Sequence, residues 1–308
     1  MGKDICKHIT EDNQENGSGI GVEKEQSNMI QELNDQIFNQ SYRPKEPVET
    51  DYVFYFQGNG RRSDCILLAQ SDHQITIPTI GEMKPDRNEL QYLFAIDDVH
   101  FYLHTDSKHP ADTKQYSFQP IRTLRLGNLG AICFAGMTAY HLFTWYRDNQ
   151  FCGRCGHVTE HSQSERMLAC PSCGNMIYPK ICPAVIIGLR KGNQILMSRY
   201  ANREYKGNAL LAGFCEIGET PEETVVREVM EEVGLKVKNI TYYGSQPWGF
   251  DSNLLLGYFA DVDGDDIIQL DEQELASAAF VDRENIAPES NLISLTATMI
   301  EEFRLGNW

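Results

Sequence analysis

The chain has 308 residues, more than one hydrophobic core usually organises, so its length predicts at least two compact units. Its 27 Lys and Arg against 44 Asp and Glu give a formal net charge of −17, which disfavours loose electrostatic binding to nucleic acid or to an anionic membrane. The sequence has neither a membrane-spanning apolar run nor a signal-peptide pattern, so we expect a cytoplasmic protein without membrane contact.

The first part of the chain divides into a polar tail and a β-rich segment. Residues 1–47 are rich in Glu, Asn, Gln, Ser and Gly, which predicts a poorly ordered tail. Residues 48–147 contain short β-type runs such as YVFYF, CILLAQ and YLFAI, separated by Gly, Asp and Pro. They end in a segment, 128–147, that is apolar on all sides. We therefore predict a mostly-β domain that ends in a buried helix.

Residues 148–178 contain two Cys-x-x-Cys pairs, FCGRCGH and ACPSCGN. The four cysteines are Cys152, Cys155, Cys170 and Cys173. Two such pairs in one short segment predict a zinc ribbon, because tetrahedral Zn²⁺ prefers four thiolates. His157 and His161 lie nearby and are alternative ligands. Since four protein ligands close a zinc site to substrate, we expect the zinc to be structural.

Residues 179–308 combine β-type runs with helical segments, which predicts a mixed sheet with helices packed on it, a fold of the α/β class. One helix is well delimited within the stretch GFCEIGETPEETVVREVMEEVG, residues 213–234. Thr220 is the expected N-cap, Pro221 the first helical residue and Glu223 the partner in a capping box, while Gly234 ends the helix.

The same helix carries an apolar stripe and a group of carboxylates. The predicted stripe consists of Val225, Val226, Val229 and Val233. Glu228, Glu231 and Glu232 follow the spacing i, i+3, i+4, so like charges converge and repel. One interpretation is a solvated acidic face with Arg227 as counterion. The other is a site for Mg²⁺ or Mn²⁺, which prefer oxygen ligands, and the glycine-bounded loop that ends at Glu219 favours it.

The residues from Gly213 to Leu235 resemble the signature of the Nudix hydrolases. Gly213 is followed after five residues by Glu219, and after seven more by the run REVMEEVGL. The resemblance implies an αβα sandwich and hydrolysis of a diphosphate linked to a nucleoside. It further implies that the three glutamates of the helix bind metal, that Arg227 orients a glutamate and that Glu219 supports the loop. The expected catalytic residues are thus Glu219, Arg227, Glu228, Glu231 and Glu232.

A four-cysteine ribbon before such a domain is similar to the NADH pyrophosphatase branch of this family. That branch carries Ser-Gln-Pro-Trp-Pro-Phe-Pro-x-Ser, where this chain has SQPWGFDSN, residues 245–253, with departures at Gly249, Asp251 and Asn253. The resemblance implies that Glu274 joins the metal site. It also implies that Phe214 and Tyr178 sandwich a base, with Tyr178 from the partner subunit of a homodimer. The further substrate contacts that it implies are Gln246, Trp248, Asn253 and Leu255.

The resemblance implies metal-dependent hydrolysis of NADH and NAD⁺ to AMP and nicotinamide mononucleotide. Two alternatives remain open: removal of an NAD cap from RNA, and a catalytically inactive adaptor built from the ribbon and a Nudix-like domain. The departures in SQPWGFDSN leave the ranking of dinucleotide substrates open, and the preferred metal and the general base are open as well.

Overall fold

The computed structural model describes residues 29–60, 63–71, 74–106, 113–125, 130–201, 207–289 and 291–308. Two β-rich units lie on either side of a long helix and a small ribbon. Within these residues no helix has the length and apolar character needed to cross a membrane.

The N-terminal unit is built mainly from short strands. Its elements are β1 (Phe38–Asn39), β2 (Tyr52–Phe54), β3 (Phe56–Gln57), β4 (Cys65–Ser71), β5 (Gln74–Thr76), α1 (Ile80–Met83), β6 (Leu90–Ile96), β7 (Val99–His104) and β8 (Ser117–Pro120). One sheet has the order β1-β6-β7-β2, and in the other β8 pairs with β4 beside β3 and β5. Aromatic side chains from both sheets fill the core; Phe54, for example, stacks on Phe56 and Phe101.

The structure differs from the predicted polar tail over residues 29–47; residues 1–28 lie outside the described residues. Ile30 is 2% exposed, and its N–H donates to the Ile293 carbonyl oxygen at 3.3 Å. Phe38 in β1 makes edge contacts with the rings of Phe94 and Phe134. A few apolar side chains in a polar segment are thus enough to hold it against the core.

Helix α2 (Ala131–Asp148) connects the two units. Phe134 and Met137 belong to a hydrophobic cluster that also contains Leu93 of the N-terminal unit and Phe259 of the C-terminal unit. The buried Asp64 carboxylate accepts hydrogen bonds from α2, at 2.8 Å from the Tyr140 hydroxyl and at 2.9 Å from the Arg147 guanidinium. The helix is apolar on several sides because both units pack against it. Helix α2 lies within the segment 128–147 and one residue beyond it, where the sequence predicts a helix.

The ribbon follows α2 directly. Its strands are β9 (Glu160–His161), β10 (Leu168–Ala169) and β11 (Met176–Ile177). They form a three-stranded sheet in which β10 is central and both pairings are antiparallel.

The C-terminal unit is a mixed sheet between two helices. Its elements are β12 (Cys182–Lys191), β13 (Gln194–Tyr200), β14 (Leu211–Phe214), α3 (Pro221–Val233), β15 (Val237–Trp248), β16 (Asn253–Val262), β17 (Leu275–Asp282) and α4 (Leu295–Leu305). The strand order is β15-β16-β12-β13-β17, with β14 beside β12. The pair β12 and β16 is parallel, and the other pairs are antiparallel.

Strand β12 shows why helices cover both faces of this sheet. Ala184 and Ile186 point to the side that packs with α4, whereas Val185 and Ile187 pack with the valines of α3. Successive side chains of a strand alternate between faces, so a strand that is apolar throughout must be covered twice. The predicted αβα arrangement with a mixed sheet is confirmed.

The turn between β15 and β16 contacts α2 closely at Gly249. A Cβ atom at this position would lie 2.5 Å from the Met137 carbonyl oxygen and 3.2 Å from the Cβ of His141. Glycine here, at one of the departures from the branch pattern, therefore lets the turn approach the helix backbone. This contact joins the C-terminal unit to α2.

We expect Gly249→Ala to destabilise the protein, because the added methyl group forces the turn away from the backbone of α2. The loss in the free energy of unfolding should be about 1–3 kcal/mol, the usual effect of overpacking a tight contact. Urea unfolding followed by tryptophan fluorescence would measure it.

Gly244→Ala is the matched control, because Gly244 lies in β15, the strand that leads into this turn, and a Cβ there meets no atom within 4 Å. Equal stability of the two variants would contradict the importance of the α2 contact.

Candidate active site and zinc site

Helix α3 has the capping interactions that its sequence predicts. The Thr220 hydroxyl accepts a hydrogen bond from the Glu223 N–H at 3.2 Å, and the Glu223 carboxylate accepts one from the Thr220 N–H at 2.8 Å. Pro221 is the first helical residue, and Gly234 ends the helix with φ 69°. The predicted bounds of this helix are confirmed.

The two faces of α3 differ from the prediction at one residue. Val225, Val229 and Val233 are fully buried, whereas Val226 is 46% exposed, so its assignment to the buried stripe was wrong. Residues i, i+4 and i+8 form the stripe, and Val226 lies about 100° around the helix from Val225. Glu228 and Glu232 lie beside this stripe and are 8% and 2% exposed.

Gly213 in β14 makes room for the carboxylate of Glu228. A Cβ atom at position 213 would lie 1.8 Å from the Cδ of Glu228. The carboxylate thus occupies the space that the side chain of any residue other than glycine would fill at position 213. Burial raises the pKa of Glu228, while its hydrogen bond from Arg227 acts in the opposite direction.

Arg227 connects the helix with the loop before it. Its guanidinium donates two hydrogen bonds to Glu219, at 2.7 and 2.9 Å, and one each to Glu228 at 2.8 Å and Glu231 at 2.9 Å. It also donates to the Phe214 carbonyl oxygen at 2.9 Å. The bidentate pair lowers the pKa of Glu219 to about 2. The three carboxylates on one guanidinium are therefore held in fixed positions.

The loop that carries Glu274 is attached to the C-terminal end of α3. The Asp271 N–H donates to the Glu232 carbonyl oxygen at 3.0 Å, and the Gln269 N–H donates to that of Val233 at 2.9 Å. These bonds satisfy carbonyl groups that a helix end leaves free. Glu274 and Glu228 line the same cavity.

A cavity of about 1070 Å³ opens beside these carboxylates. Among the predicted site residues, those that line it are Phe214, Arg227, Glu228, Glu232, Trp248, Asn253, Leu255 and Glu274. Ser294 and Ala297, at the start of α4, form part of its wall, and Asp251 lies between Trp248 and Asn253. The structure thus brings two helices, several strands of the sheet and the loop of Glu274 together around one space.

Glu231 and Gln246 do not line this cavity. The side chain of Glu231 is 58% exposed and paired with Arg227. Gln246 is fully buried, where its amide oxygen accepts from the Leu295 N–H at 2.7 Å and its amide nitrogen donates to the Ile293 carbonyl at 2.9 Å. Since these bonds hold the start of α4, the structure does not bring Gln246 to the predicted substrate contact.

The predicted aromatic contacts occupy different environments. Phe214 is 53% exposed at the cavity, and Tyr178 is 51% exposed on the ribbon, outside the cavity lining. Trp248 is 8% exposed; its indole N–H donates to Asp251 at 3.2 Å, and the guanidinium carbon of Arg125 lies 5.2 Å from its ring centroid. The Oδ1 atom of Asn253 is buried and has no hydrogen-bond partner among the described residues.

Arg125 is a cavity residue that sequence reasoning missed. It ends the 3₁₀ turn Ile121–Arg125 in the N-terminal unit, far in sequence from the other residues around the cavity. No motif surrounds it, and only the packing of α2 between the two units brings it to the cavity.

The four predicted zinc ligands form one compact cluster. Their sulfur atoms all lie within 4.8 Å of one another, with 3.7 Å between Cys152 and Cys173 and 3.4 Å between Cys155 and Cys170. Tetrahedral Zn²⁺ with Zn–S bonds of about 2.3 Å requires sulfur separations of roughly 3.8 Å. The backbone N–H of Arg154 donates to Cys152 and helps lower the pKa of that thiol to about 6. The donor set therefore fits zinc.

The two alternative histidines are not part of this cluster. Its members are cysteines alone, and the ring of His161 instead stacks on Tyr146 with 4.9 Å between centroids. Among the described residues no glutamate group gathers its ligand atoms as closely as these cysteines do. For a hard cation, Glu228, Glu232 and Glu274 nevertheless offer oxygen donors to one cavity, and Gly213 leaves room for the Glu228 carboxylate.

Two segments of the chain match known protein families. Residues 180–303 match the NUDIX domain family, and residues 147–178 match the family described as the NADH pyrophosphatase zinc ribbon domain. A relative from Mannheimia succiniciproducens, named NAD-capped RNA hydrolase NudC, is 37% identical over 195 residues, 59% of this chain and 69% of that protein. A protein of the same name from Photorhabdus laumondii is 39% identical over 176 residues, 56% of this chain and 68% of that protein.

The relative of that name from Haemophilus influenzae strain PittGG is 41% identical over 147 residues, 46% of this chain. The chain spans about half the length of this relative, 55%. The matched segments contain the cysteine cluster, helix α3 and the strands around the cavity. The chain therefore belongs to the Nudix family, in the branch that carries the NADH pyrophosphatase zinc ribbon.

Proposed function

We propose that the protein hydrolyses the diphosphate bond of NADH and NAD⁺, releasing AMP and nicotinamide mononucleotide, reduced when the substrate is NADH. The observation that carries this proposal is the position of Glu228, Glu232 and Glu274 along one wall of a cavity of about 1070 Å³. The volume suits a ligand at the large end of the small-molecule range. Glu228 and Glu232 are buried at a cost in desolvation, so they point to a cation-binding role rather than to packing, and Glu274 is an exposed carboxylate at the same cavity.

The donor set suits Mg²⁺ or Mn²⁺, which share their coordination between carboxylates and substrate phosphates. Glu228, Glu232 and Glu274 would hold the ions, with Glu231 at the exposed margin of the site. When bound, such ions supply the positive charge that a diphosphate needs in a chain of net charge −17. Without that charge, the acidic wall would repel the substrate.

The remaining residues have positioning roles in this proposal. Arg227 holds Glu219 and the Phe214 carbonyl, so it fixes the loop in front of the carboxylates. The half-exposed Phe214 ring offers a face on which a base can stack. Hydrolysis adds water across the P–O–P bridge, and a carboxylate of this wall accepts the proton that the water loses.

A second candidate is removal of an NAD cap from RNA, which breaks the same bond. The name shared by the bacterial relatives, NAD-capped RNA hydrolase NudC, favours it. The net charge of −17 means that any RNA beyond the cap needs a local basic contact. An inactive adaptor is the less favoured reading, because the glutamates and Arg227 keep a connected arrangement around an open cavity.

A homodimer accounts best for the exposed aromatic residue on the ribbon. The exposed apolar patch consists of Tyr178, Ile181, Phe214 and Ile217, which are 51%, 59%, 53% and 105% exposed. Phe214 ends β14 opposite Ala184 in β12, while Tyr178 and Ile181 precede β12 and Ile217 follows β14. An apolar surface of this kind is typical of an interface. We propose that a second copy covers it and that Tyr178 completes the partner's cavity.

The cysteines of the described residues form no disulfide bond. Free thiols and a thiolate zinc site both suit a reducing compartment. They support a cytoplasmic setting for the protein.

Glu232→Gln should retain the fold and lose most hydrolysis, because the amide keeps the shape of the buried side chain but not its charge. We expect kcat to fall roughly 100- to 1000-fold, as for loss of one group that stabilises developing charge. Chromatographic analysis of AMP and reduced nicotinamide mononucleotide, with NADH and NAD-capped RNA as substrates at several salt concentrations, would measure it.

Glu272→Gln is the control, since this exposed carboxylate lies two residues from Glu274 and does not line the cavity. Near-normal turnover by Glu232→Gln with an unchanged melting temperature would defeat the assignment.

Cys173→Ser should remove zinc and lower stability, because structural zinc contributes roughly 10–16 kcal/mol to the folding of small zinc domains. We expect the zinc content, measured by atomic emission, to fall from one ion per chain, together with a lower melting temperature. Cys182→Ser, outside the cluster, should keep both values. Full zinc content in Cys173→Ser would exclude the four-thiolate site.

Ile181→Asp should convert the dimer into monomers, because a charge in an apolar interface is left without compensation. Sedimentation velocity would show the shift, and hydrolysis should fall with it if Tyr178 completes the partner's cavity. Ile267→Asp is the matched control, at a side chain 73% exposed outside the patch. A dimer that persists in Ile181→Asp would rule out this interface.

A further inference from the structure

The wall of the cavity formed by the N-terminal unit carries one cation, Arg125. Ile121 and Leu124 of the same 3₁₀ turn are 8% and 0% exposed, so the turn is anchored in the core. The guanidinium lies over the Trp248 ring at 5.2 Å and lines the same cavity as Glu228 and Glu232. Arg125 is therefore held by a packed turn and does not lie on a flexible surface loop.

Arg125 lies at the opposite end of the cavity from the carboxylates. Across the sheet, Phe214 of β14 is opposite Ala184, which is beside Leu255 of β16. Strand β15 comes next and carries Trp248. Three strand spacings, ~14 Å, therefore separate the strand beside Glu228 from the strand under Arg125. This separation favours a part of the substrate other than the diphosphate held by the glutamates as the partner of Arg125.

Arg125 and Arg227, the two arginines that line the cavity among the described residues, differ in the state of their N–H groups. Arg227 donates to Glu219, Glu228, Glu231 and the Phe214 carbonyl, so its donors are already used. The side chain of Arg125 makes no hydrogen bond or ion pair with the part of the chain that the structure describes, and its guanidinium lies over the Trp248 ring. Stacking on an aromatic face leaves the N–H edge of a guanidinium available to a ligand.

We propose that Arg125 binds a phosphate on the ribose of the substrate, separate from the diphosphate that is hydrolysed. The forked guanidinium matches two oxygens of a phosphate group, and the ~14 Å between the strands favours a phosphate other than the reacting diphosphate. Two substrates share this chemistry: NADPH, through its 2′-phosphate, and an NAD cap, through the 3′-phosphodiester to the next nucleotide. This inference rests on the proposed function and assigns to the N-terminal unit a part in substrate choice.

The test is calorimetric titration of the full chain carrying Glu232→Gln, which keeps the ligands intact, with NADH, NADPH and an NAD-capped dinucleotide. Adding Arg125→Gln should weaken binding of NADPH or of the capped dinucleotide roughly 10- to 100-fold, the range for a charge-assisted hydrogen bond. Binding of NADH should change less than about 2-fold. The ligand that loses affinity identifies the source of the phosphate.

Arg87→Gln is the matched control, because it removes the same charge from an exposed site in the N-terminal unit outside the cavity. Arg125→Lys should recover only part of the affinity, since an ammonium lacks the fork. Equal losses for all three ligands, or no loss for any, would overturn the inference. If the wild-type chain hydrolyses none of the ligands, the proposed function fails. The ratio of each ligand's affinity with and without Arg125→Gln still decides the role of Arg125.

Discussion

Arg227 donates to Glu219 at 2.7 Å, to Glu228 at 2.8 Å, to Glu231 at 2.9 Å and to the backbone of β14 at 2.9 Å. Carboxylates one helical turn apart would otherwise repel and turn toward solvent. One guanidinium with donors in several directions instead holds them at the end of a strand. The position of the Phe214 ring and the closeness of Glu228 to Gly213 both depend on this arrangement.

Burying a carboxylate costs free energy of desolvation, and the surrounding residues offset only part of that cost for Glu228 and Glu232. Burial raises the pKa of Glu228, so part of its interaction with Arg227 is spent on keeping it ionised. Glu232 is more deeply buried than Glu228, and packing alone would be served by an apolar side chain at this position. A wall of this kind is stable because the apolar stripe of Val225, Val229 and Val233 holds α3 firmly on the sheet. The helix thus combines a side that stabilises the fold with a side that carries the chemistry.

Features that depend on neighbours in sequence were predictable, and features that depend on distant packing were not. The cap at Thr220, the end at Gly234 and the cysteine cluster follow from local spacing. Val226 was misassigned because a pattern of valines does not by itself define the centre of the stripe. The burial of Gln246 against α4 and the place of Arg125 at the cavity depend on contacts between segments far apart in the chain. No local pattern records such contacts.

Helix α2 has a consequence for how the molecule loses its structure. Its side chains belong to a cluster with members from both β-rich units, and Asp64 is bonded to it through Tyr140 and Arg147. Domains that share a hydrophobic core unfold cooperatively, whereas domains joined by a linker unfold separately. Heating should therefore give a common transition for the two units. A protease that cuts between them would release unfolded fragments rather than two folded halves.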